Sequence, residues 1–302
     1  MKKILINFSL IFLIIFFFLE LSSIVLIKLK ILPNGISTST TLVPHREYGF
    51  WHHKNRTFRL ASPCWNSKVS YNDKGMRASQ NFEFKSSKKR IAIIGDSMSE
   101  NIEVSDGNDF VSLLQKKIPN YEILNFSVRS TGLGDQIELY NKFIKKIQPN
   151  VIFLFVSDND LEDNYYLNKR NGQIKYKIHA GKVKKIPLDE NFFLKQESLF
   201  NKIKKDRLLL IKEKFSSYIL YSRLKAHIQY LKFKKNNKNK SEKKINNEYV
   251  DYEEKKIVYK YLVDKLKKSL NNDQAYYVFI NPRPKIISEE FYPEKKNIEV
   301  MA

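Results

Sequence analysis

Lys88-Lys89-Arg90-Ile91-Ala92-Ile93-Ile94-Gly95-Asp96-Ser97-Met98-Ser99-Glu100 is the stretch that decides how the chain is read. Four apolar residues in a row, Ile91 to Ile94, predict a short strand buried on both faces, as in a parallel sheet. Gly95 ends it with a residue tolerant of unusual backbone angles. Asp96 and Ser97 follow at the strand's carboxyl end, where open α/β sheets place their ligands. A serine there exposes its hydroxyl beside backbone N–H groups, which suits acyl transfer. The same residues also read as an ordinary Asp/Ser turn or helix cap after a strand.

Two later segments repeat the pattern. Residues 121–128, YEILNFSV, lead to Arg129-Ser130-Thr131-Gly132-Leu133-Gly134-Asp135-Gln136. Residues 150–156, NVIFLFV, lead to Ser157-Asp158-Asn159-Asp160. The three blocks in this order resemble the SGNH (GDSL-type) hydrolase superfamily, whose marks are a G-D-S serine, a glycine after the second strand and a G-x-N-D asparagine. The resemblance covers residues 70–165 and fades on either side. It implies an α/β fold, a three-layer α/β/α sandwich around a parallel, flavodoxin-like sheet. It also implies Ser97 as nucleophile, with Gly132 (or Gly134, one register away) and Asn159 as oxyanion donors, and Gly95, Asp96 and Asp160 in support. The leading glycine of G-x-N-D is replaced by Ser157. The chemistry so implied is ester hydrolysis or acyl transfer on acylated envelope sugars or lipids, with no cofactor and no metal.

One element of that chemistry is missing. The family carries its base and the orienting carboxylate as D-x-x-H after the last strand. None of His45, His52, His53, His179 and His227 has an acidic residue three places before it, and none follows the last strand read in the chain. A serine without a base is a poor nucleophile. The expectation is therefore either a chain that stops before the D-x-x-H block or a scaffold that has lost catalysis. In the second case it would be a non-catalytic carbohydrate- or acyl-binding module.

Composition narrows the partners. The formal charge of +22 raises nucleic acid and anionic membrane. Only ten of the 54 basic residues are arginine, however, and the lysines are spread among Asn and Ile rather than gathered in a stripe. The charge reads as a bias of the whole chain, and nucleic acid is not an expected partner. The one cysteine, Cys64, excludes an internal disulfide and a multi-cysteine metal site. Adjacent His52 and His53 lack Cys or acidic companions at ligand spacing.

Around the core the chain divides into three parts. Residues 1–30 predict a transmembrane anchor: from Ile4 to Ile27 the run is almost wholly apolar, long for a signal peptide, and no A-x-A-like site follows. With the short amino tail cytoplasmic, the domain would lie on the periplasmic side. Residues 31–86 read as a linker and an aromatic-rich apron with Tyr48, Phe50, Trp51, Phe58, Trp65 and Tyr71. It ends in an N-x-x-G-x-R turn, Asn72 to Arg77, which precedes the serine block in anchored members of the family. Residues 87–302 form the core, with helices starting at Asp109 and Asp135, and a β-hairpin insert at 172–187. A long helix over 199–233, a mobile Lys/Asn-rich insert at 234–247, an amphipathic helix over 249–270 and a strand at 275–280 complete it. On that last helix Ile257, Tyr261, Leu262, Val263, Leu266 and Leu270 are expected to face the core.

Overall fold

A computed structural model describes residues 2–29, 31, 32, 35, 41–62, 65–157, 159–167, 172–222, 224, 225, 228, 245–270 and 275–281. Cys64, Asp158, His227, the Lys/Asn-rich stretch at 234–244 and residues 282–302 lie outside the described residues.

Helix α1, Lys2–Lys28, is followed by four strands of the apron: β1 Leu42–His45, β2 Gly49–His52, β3 Arg56–Ser62 and β4 Trp65–Tyr71. β1 pairs with β2 and β3 with β4, both antiparallel. Then come β5 Lys89–Ile94, α2 Ser97–Glu100, α3 Phe110–Lys117, β6 Tyr121–Asn125, α4 Leu133–Lys142 and a 3₁₀ turn, Ile144–Ile147. β7 Val151–Ser157, α5 Asp160–Asp163, the antiparallel hairpin β8 Lys175–His179 and β9 Lys182–Ile186, α6 Glu190–Glu197 and α7 Leu199–Lys214 come after these. A helical segment over 216–222 (α8), α9 Ile245–Ser269 and β10 Ala275–Asn281 end the described chain.

The central sheet has four strands in the order β10-β7-β5-β6, every pair parallel. The protein is thus a mixed α/β molecule with a parallel four-stranded sheet. β5 is flanked by the two strands that succeed it, so the order reverses between β5 and β7. In open α/β sheets the crevice above such a reversal is where ligands bind.

Packing on the two faces explains why Ile91 to Ile94 are apolar without alternation. Ala92 and Ile94 join Leu124, Ile152 and Leu154 against Ile137 and Tyr140 of α4 and Val258 and Leu262 of α9. Ile91, Ile93 and Ile123 turn the other way, onto Val111 of α3. A third cluster holds the β3–β4 hairpin: Phe58, Leu60, Val69 and Tyr71 close on Ile102 and on Leu209 of α7.

Two expectations need correction. The long helix over 199–233 breaks at Phe215, whose backbone turns extended (φ −108°, ψ 118°). The next two N–H groups, of Ser216 and Ser217, are taken by the Glu20 carboxylate at 2.7 and 2.8 Å instead of by helix carbonyls. On α9 Leu262, Val263, Leu266 and Leu270 pack on the core as expected and Val258 joins them, whereas Ile257 and Tyr261, also expected to face inward, are exposed. The apolar residues of this helix run round too much of its circumference for periodicity to choose the face.

Candidate functional site

The loops after β5, β6 and β7 meet at the carboxyl edge of the sheet. After β5, Asp96 caps α2, its carboxylate accepting the Met98 N–H at 2.9 Å. Ser97 opens the helix half-buried, and Met98 beside it is exposed. Gly95 is required for closeness rather than for an unusual angle. A Cβ there would strike Ser99 Oγ and come within 2.9 Å of Phe155 Cβ and its carbonyl oxygen, on the neighbouring strand.

The loop after β6 continues along this turn, because the Val128 N–H bonds to Gly95 O at 3.0 Å. It then passes through Ser130, which is exposed and holds φ +61°. An L-residue with a Cβ is strained in that left-handed region. Gln173, just before β8, donates to the Ser130 carbonyl at 2.6 Å and braces the conformation from outside. Among the described residues the backbone N–H groups of Ser97 and Ser130 have no hydrogen-bond partner.

The two glycines singled out from the sequence serve packing. Gly132 is extended (φ −108°, ψ −178°), and its N–H bonds to Asp135 Oδ2 at 3.0 Å. Gly134 gives its N–H to Asn164 Oδ1 at 2.7 Å. A side chain at Gly132 would collide with Asn164 Oδ1, and one at Gly134 would come within 2.6 Å of the Tyr176 ring. Both glycines let α4 seat against the loop after β7.

In that third loop, Asn159 precedes α5 and donates its amide to Asp163 Oδ2 at 2.8 Å. Asp160 accepts the Ser157 N–H at 3.0 Å. The side chains of Ser157 and Asn159 also face the Asp96 carboxyl, so the β5 and β7 loops share a buried polar seam. Ser97, the Ser130–Gly132 segment and Asn159 therefore stand on neighbouring loops of one rim.

Electrostatics divide this rim. Burial pushes the Asp96 carboxyl up, against the Met98 N–H and the Ser157 and Asn159 side chains. Burial and the nearby Asp96 push Asp160 well above the carboxylate range. Burial lifts Asp135 to about 6 although the N–H groups of Ile174 and Gly132 and the Asn164 amide all bond to it. On the other side, Glu100 at the end of α2 is fully buried, and burial alone would raise it too. Arg129 and His52 overcome that and hold it at about 2. Its oxygens accept the Arg129 N–H at 2.6 Å, the Arg129 guanidinium at 3.1 Å and the Tyr71 hydroxyl at 2.8 Å, and His52 Nε2 lies 3.1 Å away.

Glu100 thereby ties the serine helix to the β6 loop and to the apron. Arg77 completes the clamp with its guanidinium on the carbonyls of Glu100, Asn101 and Val104. That gives the N-x-x-G-x-R turn a physical role. Its Gly75, at φ +80°, slips under the Trp51 indole. Its arginine closes the loop behind Ser97.

Sequence reading missed Glu100, Arg129, Asn164 and Ser130. For Glu100 the available signal was a carboxylate one helical turn past Ser97 at the end of an apolar strand and cap. For Ser130 no sequence signal existed, since serine does not announce a left-handed backbone. The described histidines all engage other groups or stand away from the rim. His45 stacks on Tyr48, His52 bridges Gly75 O and Glu100, His53 faces Phe58, and His179 is exposed at the β8–β9 turn. Among the described residues no His/Cys/Asp/Glu cluster is arranged to hold a metal.

Comparison with known proteins adds little. No family model matches the chain, and no curated protein does. A crystal structure of TesA is similar over 24% of this chain and 43% of that one, at 19% identity and a TM-score of 0.23. The match thus spans less than half of the solved chain, and a likeness of that size carries no functional argument.

Proposed function

We propose that the domain is an SGNH-type acyl-ester hydrolase or acyl transferase, held at a membrane by α1 with its rim on the extracytoplasmic side, and that Ser97 is its nucleophile. The observation that carries this reading is the pair of N–H groups, of Ser97 and Ser130, that have no partner among the described residues and lie at the reversal of strand order. The Asn159 amide stands on the adjoining loop. In the reaction the Ser97 hydroxyl oxygen attacks the ester carbonyl and gives its proton to a base that none of the described histidines supplies. The carbonyl oxygen, now negative, is met by the N–H groups of Ser97 and Ser130 and by the Asn159 amide, which stabilise it without bringing charge. The tetrahedral adduct then collapses, the C–O bond to the alcohol breaks and the alcohol takes that proton. The acyl group stays on Ser97 until water or an acceptor hydroxyl removes it. Ser130 rather than Gly132 or Gly134 supplies the loop's N–H, because each glycine's single N–H is already bonded within the fold. The Asn159 amide, which holds Asp163 Oδ2 at 2.8 Å, has to release that carboxylate to donate. Acylated envelope sugars or lipids are the substrates that suit a domain beside a bilayer.

The full chain in detergent, assayed with short p-nitrophenyl esters, tests the proposal. Hydrolysis is expected to vanish in Ser97→Ala, and Asn159→Ala is expected to lower kcat about 10²- to 10³-fold. Turnover that survives Ser97→Ala would remove the catalytic assignment.

A second reading has one observation in its favour: His45, His52 and His53 are each engaged away from Ser97. On that reading the rim binds acyl or sugar groups without turning them over. It predicts ligand binding that Asn159→Ala weakens and no esterase activity in the parent chain.

A further inference from the structure

α1 is long and apolar enough to cross a membrane over Ile6–Lys28. Its one acidic residue is Glu20. A carboxylate within an apolar layer is expensive unless its hydrogen bonds are supplied by protein. Here they are, as both Glu20 oxygens accept backbone N–H groups, of Ser216 and Ser217. Phe16, one turn earlier, meets the Phe215 ring edge-on at 5.5 Å. From Ile6 to Leu19 the helix is exposed all round, whereas Ser22, Ser23, Leu26 and Ile27 are half-buried or buried. The domain therefore grips the last third of the span.

Helix geometry converts this grip into a depth. Glu20 lies eight residues before Lys28, about 12 Å along a helix rising 1.5 Å per residue. Counted from Ile6 it stands about 21 Å up an apolar layer about 30 Å thick, or about 9 Å short of the far boundary. Either count puts the break between α7 and α8 inside the outer leaflet. The flanking residues have the chemistry for that place. Leu208, Leu210, Ile211 and Phe215 are exposed on α7 and at its end, and Tyr221 and Leu224 are exposed beyond it. Lys202, Lys204, Lys205, Arg207 and Lys214 are exposed on the same helix. Leu210, Ile211 and Phe215 at the break suit that depth, and the cations interleaved with them along α7 can carry their charges to the headgroups on long apolar stems.

We propose that α7 and α8 form a second, interfacial membrane contact, clamped to α1 by Glu20 and immersed in the outer leaflet with its lysines among anionic headgroups. The proposal rests on α1 spanning a bilayer, and the test separates the two.

The full chain is reconstituted in nanodiscs of phosphatidylcholine, with or without phosphatidylglycerol. In a Cys64→Ser background, single labels are placed through Leu13→Cys, Ile211→Cys, Tyr221→Cys and Leu113→Cys, and are quenched by spin-labelled lipid or by aqueous iodide. The expected result is lipid quenching at Leu13, Ile211 and Tyr221 and iodide quenching at Leu113. Glu20→Ala should transfer Ile211 from lipid to iodide quenching, Glu20→Gln should do so less, and phosphatidylglycerol should deepen the shielding of Ile211. Iodide quenching at Ile211 and Tyr221 equal to that at Leu113, with Leu13 still lipid-quenched, overturns the second contact alone. Iodide quenching at Leu13 as well overturns the anchor and the contact together.

Discussion

The two sides of the rim are built from the same material and behave oppositely. On the side of α2, one buried carboxylate, Glu100, is surrounded by Arg129, His52 and Tyr71, and its pKa is held at about 2. Where the loops after β5 and β7 meet, Asp160, the α2 cap Asp96 and Asp135 of α4 are buried among amides and backbone N–H groups, and burial drives all three upward. The compensated side is a clamp that fixes where Ser97 and Ser130 stand. At the second place burial outweighs the hydrogen bonds, and repulsion from neighbouring carboxylates adds to it at Asp96 and Asp160, next to Asn159. Stability and site polarity are thus assigned to different halves of one edge.

The largest expected effect breaks the clamp. Glu100→Ala leaves Arg129 buried without its counter-charge and should destabilise the full chain by about 3–5 kcal/mol in urea unfolding followed by tryptophan fluorescence. The pH dependence sharpens the contrast. Glu100 has a lowered folded pKa, so its contribution is complete above its ordinary value of 4.5 and is lost as pH falls toward about 2. The gap between parent and variant should therefore narrow through that window. A gap that stays constant from pH 5 to pH 2 would show that the carboxylate charge is not what holds the clamp.

The opposite side should answer in the opposite sense. Asp160 keeps one oxygen on the Ser157 N–H, while Oδ1 has no partner among the described residues. Asp160→Asn retains the acceptor and removes the ionisation, so at pH 7 the variant should be more stable by about 1 kcal/mol. With the folded pKa raised, the parent's penalty begins as pH climbs above 3.8 and grows toward the folded pKa. The variant's advantage should be absent near pH 3 and present at pH 7. Destabilisation at pH 7 would mean that the carboxylate is compensated after all.

The smallest effect concerns the loop between the two sides. Ser130→Gly relieves the left-handed backbone at φ +61° but loosens the unfolded chain, so a net gain of about 0.5 kcal/mol is expected. If esterase activity is present, it should survive this change, because the N–H remains. A loss of stability would show that the serine side chain, not the backbone, holds the loop.

The sequence alone established the strands β5, β6 and β7, the helices that alternate with them, the β8–β9 hairpin and the apolar helix at the amino end. Each of these rests on local pattern: a continuous apolar run marks a strand covered on both faces, and alternation marks an exposed hairpin. It also located Ser97 and Asn159 at strand ends, because the order of blocks along the chain is itself a local property. Tertiary structure decided the rest. Gly132 and Gly134 proved to be spaces for Asn164 and Tyr176, since free volume is set by what packs opposite. Ser130, Glu100 and the break at Phe215 depend on partners 29 to 197 positions away, and no window of sequence contains both members of such a pair. Propensity is written along the chain, whereas burial and charge compensation exist only between segments that folding has brought together.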